Sequence, residues 1–224
     1  DALDTYIRLS QRINLWLTTH TSEGILYKTD FRLRPDGAQG LLAVPIKSFA
    51  EYLQKRAWIW EHQALTRGRW VAGDESVGLE FNDIREEVLR QRRDISGLGR
   101  EIVKMRDKMR KEEKKIAGSF DLKHHRGGIV DIEFIVQYLV LAYANKYPDL
   151  TENIGNFRLL HLAGEIGLIP ETLAEQVANA FRQYMLWLHT SRLMGNEDGS
   201  VEIEKVAGYA DVVEKLWNRL FESA

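Results

Sequence analysis

The sequence contains no cysteine, which excludes disulfides, thiolate metal sites and a cysteine nucleophile, and fits a reducing compartment. It also lacks an apolar run of the ~18 to 20 residues that a membrane-spanning helix requires. The longest candidate, residues 129–144, is interrupted by Asp131, Glu133 and Gln137. No basic start followed by an apolar core marks a signal peptide. The chain opens on Asp1 rather than Met, which suggests a piece of something longer. A large basic excess is missing as well: the net charge is −2, so a general nucleic-acid scaffold is not indicated. What is there is an ordinary globular composition, 44% hydrophobic and 29% charged over 224 residues, enough to bury a sizeable core.

Hydrophobic periodicity organises most of the chain into helices. Residues 1–19 carry Leu3, Tyr6, Ile7, Ile13, Leu15 and Leu17 at mostly three- and four-residue spacings, which predicts a helix ending before His20. Residues 25–31 then read as an extended, largely buried strand. On it Asp30, Arg32 and Arg34 alternate onto one face, placing one metal-type ligand beside two phosphate-type clamps. The same pattern also suits a solvated salt-bridge ladder. Pro35, Asp36 and Gly37 end the run with turn chemistry, and the apolar run 41–44, stopped by Pro45, reads as an edge strand.

Ser48 with Glu51 three residues on has the form of a capping box. It opens a helix whose Phe49, Leu53, Ala57, Trp60 and Ala64 form one apolar stripe. Trp58, Trp60 and Glu61 crowd its middle, and Arg67 and Arg69 follow near its end, where the helix dipole favours cations. Residues 81–90 read as a further helix. Residues 92–115 hold ten Lys or Arg against five Asp or Glu, with Leu98, Ile102, Met105 and Met109 at helical spacing. This predicts a basic amphipathic helix whose charges form a solvated face over a core stripe, or else attract an anionic nucleotide or an acidic partner. Nucleic-acid binding through it would need aromatic stacking or a groove-reading element, and none is found.

Gly127 and Gly128 precede a helix, residues 129–144, that is apolar almost all round, as a central buried helix would be. Asp131 and Glu133 sit in its first turns but about 200° apart around the axis, so they cannot chelate one ion as a simple pair. Glu133 shares a face with Gln137, and each requires a partner if buried: Lys123, Arg126 or a residue of the earlier helix. His124 and His125 lack the spacing of a helical metal motif. Helix signals recur at residues 155–166, after Pro170 and at 209–221, with a polar turn at 195–199. The chain therefore reads as α+β, predominantly α, with few short strands near residues 24–44 and a helical bundle elsewhere.

Four stretches in order, LYKTDFRLRPDGAQGLL, FAEYLQKRAWIWEHQALTRGR, KMRDKMR and FDLKHHRGGIVDIEFIVQYLVL, together resemble the bacterial glutamine synthetase adenylyltransferase family, in its C-terminal, adenylylating half. The resemblance implies the C-terminal part of a nucleotidyltransferase fold over residues 1–75, then a helical bundle domain over 76–224. It implies a cytoplasmic enzyme using ATP and Mg²⁺ to place AMP on a tyrosine of glutamine synthetase. It makes Asp30 the third metal carboxylate of that site, and Arg32 and Arg34 contacts for phosphate or for fixing Asp30. Glu61, Arg67, Arg69, Gly127, Gly128, Asp131 and Glu133 are read as structural or site-supporting residues, which seat the helical domain against the transferase part or, around Glu133, meet a ligand. The Gly-Ser then Asp-x-Asp element that supplies the family's other two carboxylates is absent from these residues, so the chain alone is expected to be inactive. A different reading is a helical module that docks glutamine synthetase or a PII signalling protein.

Overall fold

The computed structural model of the chain describes residues 2–31, 34–111, 118–195 and 199–222. Among these are nine α-helices and two small two-stranded sheets, as the predominantly helical α+β expectation requires. The first helix, α1 (Ala2–Thr18), leaves Tyr6, Leu9, Ile13 and Trp16 exposed and buries no residue. Behind it β1 (His20–Thr21) pairs antiparallel with β2 (Gly24–Ile25).

The expected strand over residues 25–31 does not continue past Ile25. A strand requires a neighbour to satisfy its amides and carbonyls, and residues 26–30 follow an irregular path with Leu26 and Tyr27 exposed. This path is tied to α1, since the Tyr27 N–H donates to Leu17 O at 2.9 Å. Residues 41–44 likewise form bends, not an edge strand.

The single helix expected from Ser48 is two helices, α2 (Ile46–Lys55) and α3 (Ile59–Leu65). Pro45 occupies the N-cap of α2, so Ser48 lies inside the helix and Glu51 pairs with Lys55 at 2.7 Å instead of closing a capping box. After Lys55 the N–H groups of Arg56 and Ala57 both donate to Tyr52 O, at 2.8 and 3.0 Å. Glu61 then restarts the helix: its Oε2 accepts the Trp58 N–H at 2.8 Å, which satisfies an amide otherwise orphaned at a helix start.

Helix α4 (Glu75–Leu89) begins earlier than Phe81 because Asp74 caps it through Ser76 N at 2.9 Å. Helix α5 (Ile95–Arg110) is capped by Asp94 through Gly97 N; of the expected 92–115 helix, residues 112–117 lie outside the described residues. Strand β3 (Ser119–Asp121) follows, then the central helix α6 (Ile129–Tyr143), which packs against α3, α5, α7 (Gly155–Glu165), α8 (Glu171–Leu193) and α9 (Ile203–Phe221). Strand β4 (Ser200–Glu202) pairs antiparallel with β3, Phe120 opposite Val201, and clips the entry of α6 to the start of α9. Three-residue strands show too few alternations to be seen in a sequence. One apolar core runs from Tyr52 to Trp217, with eleven of the fifteen residues of α6 buried, as its all-round apolarity predicts. Among the described residues no helix is long and apolar enough to cross a membrane.

Candidate functional site

The loop after β2 presents Asp30 to solvent. Its position is set from α1, where Asn14 Oδ1 accepts the hydroxyl of the preceding Thr29. Arg34 is occupied within this loop. Its Nε donates to Gly40 O at 2.9 Å, Nη1 to Phe31 O at 2.7 Å and Nη2 to Ala38 O at 3.0 Å. A guanidinium has five N–H donors, so Arg34 staples the turn and retains two for another acceptor. Asp36 and Gly37 both adopt left-handed backbone, φ 60° and 56°. Gly40 has no alternative either, because a Cβ there would lie 1.8 Å from Pro35 O. Arg32 lies outside the described residues.

The second polar constellation lies at the N-terminal end of α6. Asp131, 1% exposed, receives Arg106 Nε on Oδ1 at 2.5 Å, and Arg110 Nη2 and Gly127 N on Oδ2, each at 2.8 Å. Arg106 is itself fully buried and also donates to His124 O, while the Arg110 guanidinium lies 5.1 Å from the Trp217 ring. Of the cations of the basic helix α5, Arg106 is therefore internal and Arg110 half-buried, while Arg100, Lys104, Lys108 and Lys111 form the solvated face. Gly127 (φ 78°) fits because a Cβ would sit 2.8 Å from Ala210 O of α9. The amides of Gly128, Ile129 and Val130 donate to His125, Leu122 and Lys123 carbonyls. With Gly127 held by Asp131, the start of α6 offers an anion none of these N–H groups.

On the other side of α6, Gln137 Oε1 accepts Gln63 Nε2 of α3 at 2.9 Å. Glu61, buried beside it in sequence, accepts Tyr52 OH at 2.8 Å as well as Trp58 N, so it serves as the joint between α2 and α3. Glu133, half-buried, has no hydrogen-bond or ion-pair partner among the described residues. Burial pushes its carboxyl above the usual range, opposed by the positive charges of Arg67, Lys123 and His124. Arg67 lies beyond the end of α3 and donates to Asn156 Oδ1 of α7 at 2.9 Å; Arg69 is exposed. The structure thus gathers Glu133, Arg67 and Lys123 on one flank of α6 and Asp131 with its arginines on the opposite flank, the separation that the helix geometry predicts.

Three arginines, two buried and one half-buried, escaped the sequence reading. Arg85, 6% exposed, donates to Leu65 O, Thr66 O and Thr151 O and so caps the carbonyl end of α3. Arg93 does the same for α4, through Val88 O and Leu89 O, and reaches Leu141 O and His62 Nδ1; burial lowers its pKa to about 10. No sequence signal marks either one. Arg106 did carry a signal, for it continues the Leu98 and Ile102 line at a four-residue step.

The described residues contain no group of three His, Cys, Asp or Glu able to hold a metal. A lone Asp30 does not complete a magnesium site.

In outline the molecule is a helical bundle pinned by buried arginines, preceded by a helix and a loop that displays one carboxylate. Residues 1–84 match the family model described as glutamate-ammonia ligase adenylyltransferase, and residues 100–199 match that described as GlnD PII-uridylyltransferase. Both descriptions name enzymes that transfer nucleotidyl groups. Among curated relatives, bifunctional glutamine synthetase adenylyltransferase/adenylyl-removing enzymes are similar: that of Aromatoleum aromaticum is 48% identical over the whole chain and 24% of its own length. That of Nitrosomonas eutropha is 52% identical over 87% of the chain and 21% of its own length, and that of Bordetella bronchiseptica 44% identical over 99% and 24%. Along its whole length the chain is similar to these enzymes, and it spans about a quarter of the length of the curated relatives it matches.

Proposed function

We propose that the chain is part of a cytoplasmic enzyme that transfers AMP from ATP to a tyrosine of glutamine synthetase, with Mg²⁺ as the assisting ion. The observation that carries this reading is the similarity along the whole chain to enzymes named for that adenylylation, at 44–52% identity. In this reading residues 1–75 close one side of a nucleotidyltransferase domain and residues 76–224 form the helical domain seated on it. Asp30 is a metal-binding carboxylate that acts with others outside this chain. Arg34 holds the loop that presents Asp30 and keeps two N–H donors for a phosphate; Arg32 is a phosphate contact. Gln63 and Gln137 hold α3 on α6 and Glu61 joins α2 to α3, while Asp131 fixes α6 to α5. Lacking an Asp-x-Asp element, the 224 residues alone do not transfer AMP.

Incubating the full-length enzyme with glutamine synthetase and ATP labelled at the α-phosphate tests this. Label is expected on a glutamine synthetase tyrosine with the full-length enzyme and not with the 224-residue chain. Label transferred from the γ-phosphate, or steady transfer by the chain alone, contradicts the proposal. The match of residues 100–199 to a PII-uridylyltransferase model favours a second role for the helical part, docking a PII signalling protein. Retention of PII by a variant that has lost AMP transfer would support that role.

A further inference from the structure

A groove of about 1020 Å³ runs between α3, α5, α6 and α9. Its floor is apolar: Ile59, Val103, Met105, Tyr138, Leu220 and Phe221. One long edge is a row of cations on α5, Arg100, Lys104, Lys108 and Lys111, at steps of four, four and three residues. All four are exposed, and none pairs with a carboxylate among the described residues. Two acidic residues also line the groove, Glu101 and Asp107, and Asp107 is already paired with Arg110 at 3.4 Å. At the opposite lip stands Trp58, 68% exposed. Its backbone is fixed, because Glu61 holds its N–H and is itself held by Tyr52. Gly99, in the second turn of α5, keeps the floor open. A Cβ there would make only ordinary contacts, 3.7 Å to Phe221 and 3.9 Å to Tyr138, so packing does not demand a residue that weakens a helix interior.

From these features we propose that the groove docks an acidic amphipathic helix of a partner protein. The row from Arg100 to Lys111 is about 16 Å long at 1.5 Å per residue, the length of three helical turns. An apolar face laid on the floor buries Trp58 as a preorganised anchor, and acidic residues along the helix flank meet the cationic row. A single nucleotide leaves most of the groove unfilled, and the carboxylates of Glu101 and Asp107 disfavour a nucleic-acid strand. The inference stands apart from the transferase reading, for none of these residues is assigned to the transfer of AMP.

The test titrates the 224-residue chain, labelled at the tryptophan indole nitrogens, with a synthetic helical peptide of about 14 residues bearing Leu and Phe on one face and Glu on the other. The indole resonances of Trp58 and Trp60, assigned with W58F and W60F, are expected to shift saturably while that of the buried Trp217 does not. The double variant Lys104→Glu with Lys108→Glu, with unchanged circular dichroism, is expected to weaken binding about tenfold or more. Gly99→Leu, which fills the floor without touching the charges, is expected to weaken it too. Absence of the shift, an equal response to a scrambled peptide of the same composition, or indifference to the charge reversal overturns the proposal. So does saturable occupation of the groove by a thymidine oligonucleotide, or its burial by self-association of the chain.

Discussion

The buried cluster around Asp131 gives the sharpest stability prediction. In Asp131→Asn the shape is kept and the charge is lost. Arg106, with no exposed surface, then has a neutral amide where it had a carboxylate at 2.5 Å. Arg110 can fall back on Asp107, but only at 3.4 Å. Charge-assisted hydrogen bonds contribute about 1.5–3 kcal/mol each, and removing one side of a buried ion pair costs about 3–5 kcal/mol because the remaining charge is stranded away from water. For a domain of this size that corresponds to a fall in Tm of about 6–20 °C. Urea unfolding at neutral pH measures it directly as a change in midpoint with unchanged slope. The double variant Arg106→Met with Asp131→Leu supplies the control, since apolar replacement of a buried pair is often neutral or stabilising; it should recover much of the loss. A loss below about 1 kcal/mol for Asp131→Asn would refute the claim that this cluster clamps α5 to α6.

Three further outcomes follow from buried groups. The Tyr184 hydroxyl is buried with no hydrogen-bond partner among the described residues, and burial pushes its pKa up; Tyr184→Phe should therefore stabilise by about 1 kcal/mol, and a loss instead would show that the hydroxyl is bonded in solution. Glu133 has its pKa raised by burial, so its ionisation opposes folding above the unfolded value. Glu133→Gln should raise Tm at neutral pH and lose that gain at or below about pH 4, whereas a lower Tm at neutral pH would mean the carboxylate is paired. His62 is 7% exposed, with Nε2 on Leu53 O and Nδ1 facing Arg93, and burial lowers its pKa. The folded state thus binds fewer protons there, and stability should fall as pH drops below about 6.5. In His62→Gln that part of the pH dependence should vanish, and its persistence would place the titration elsewhere.

Helices were legible wherever a stripe repeated over several turns. Residues 1–19, 129–144 and 155–166 fold almost as the spacing of their apolar residues predicts. The single helix drawn from Ser48 failed because one stripe can run across two helices. The restart at Trp58 is encoded by a glutamate three residues later, the same half of a capping box that Glu51 supplies to Ser48 in sequence alone. Strand 25–31 has strand composition, but a strand is completed by a neighbour that composition does not supply. Charged residues were the least legible. Arg106 sits on the core line of α5 and could have been read as buried. Arg85 is buried and Arg93 half-buried because helix ends expose carbonyls to them, a circumstance created by packing. Glu133 and Gln137 share a face in need of partners; Gln137 finds one on α3, and Glu133 lies among cations without one among the described residues.

That Asp30 serves nucleotidyl transfer is open to direct measurement, by steady-state AMP transfer to glutamine synthetase with the full-length enzyme carrying Asp30→Asn. Asp30 is exposed on a loop held by Thr29 and Arg34, so the substitution should leave Tm unchanged. Turnover should fall by about 100-fold or more, as for loss of a group that stabilises the transition state. Turnover close to that of the unmodified enzyme, at equal stability, would contradict the assignment.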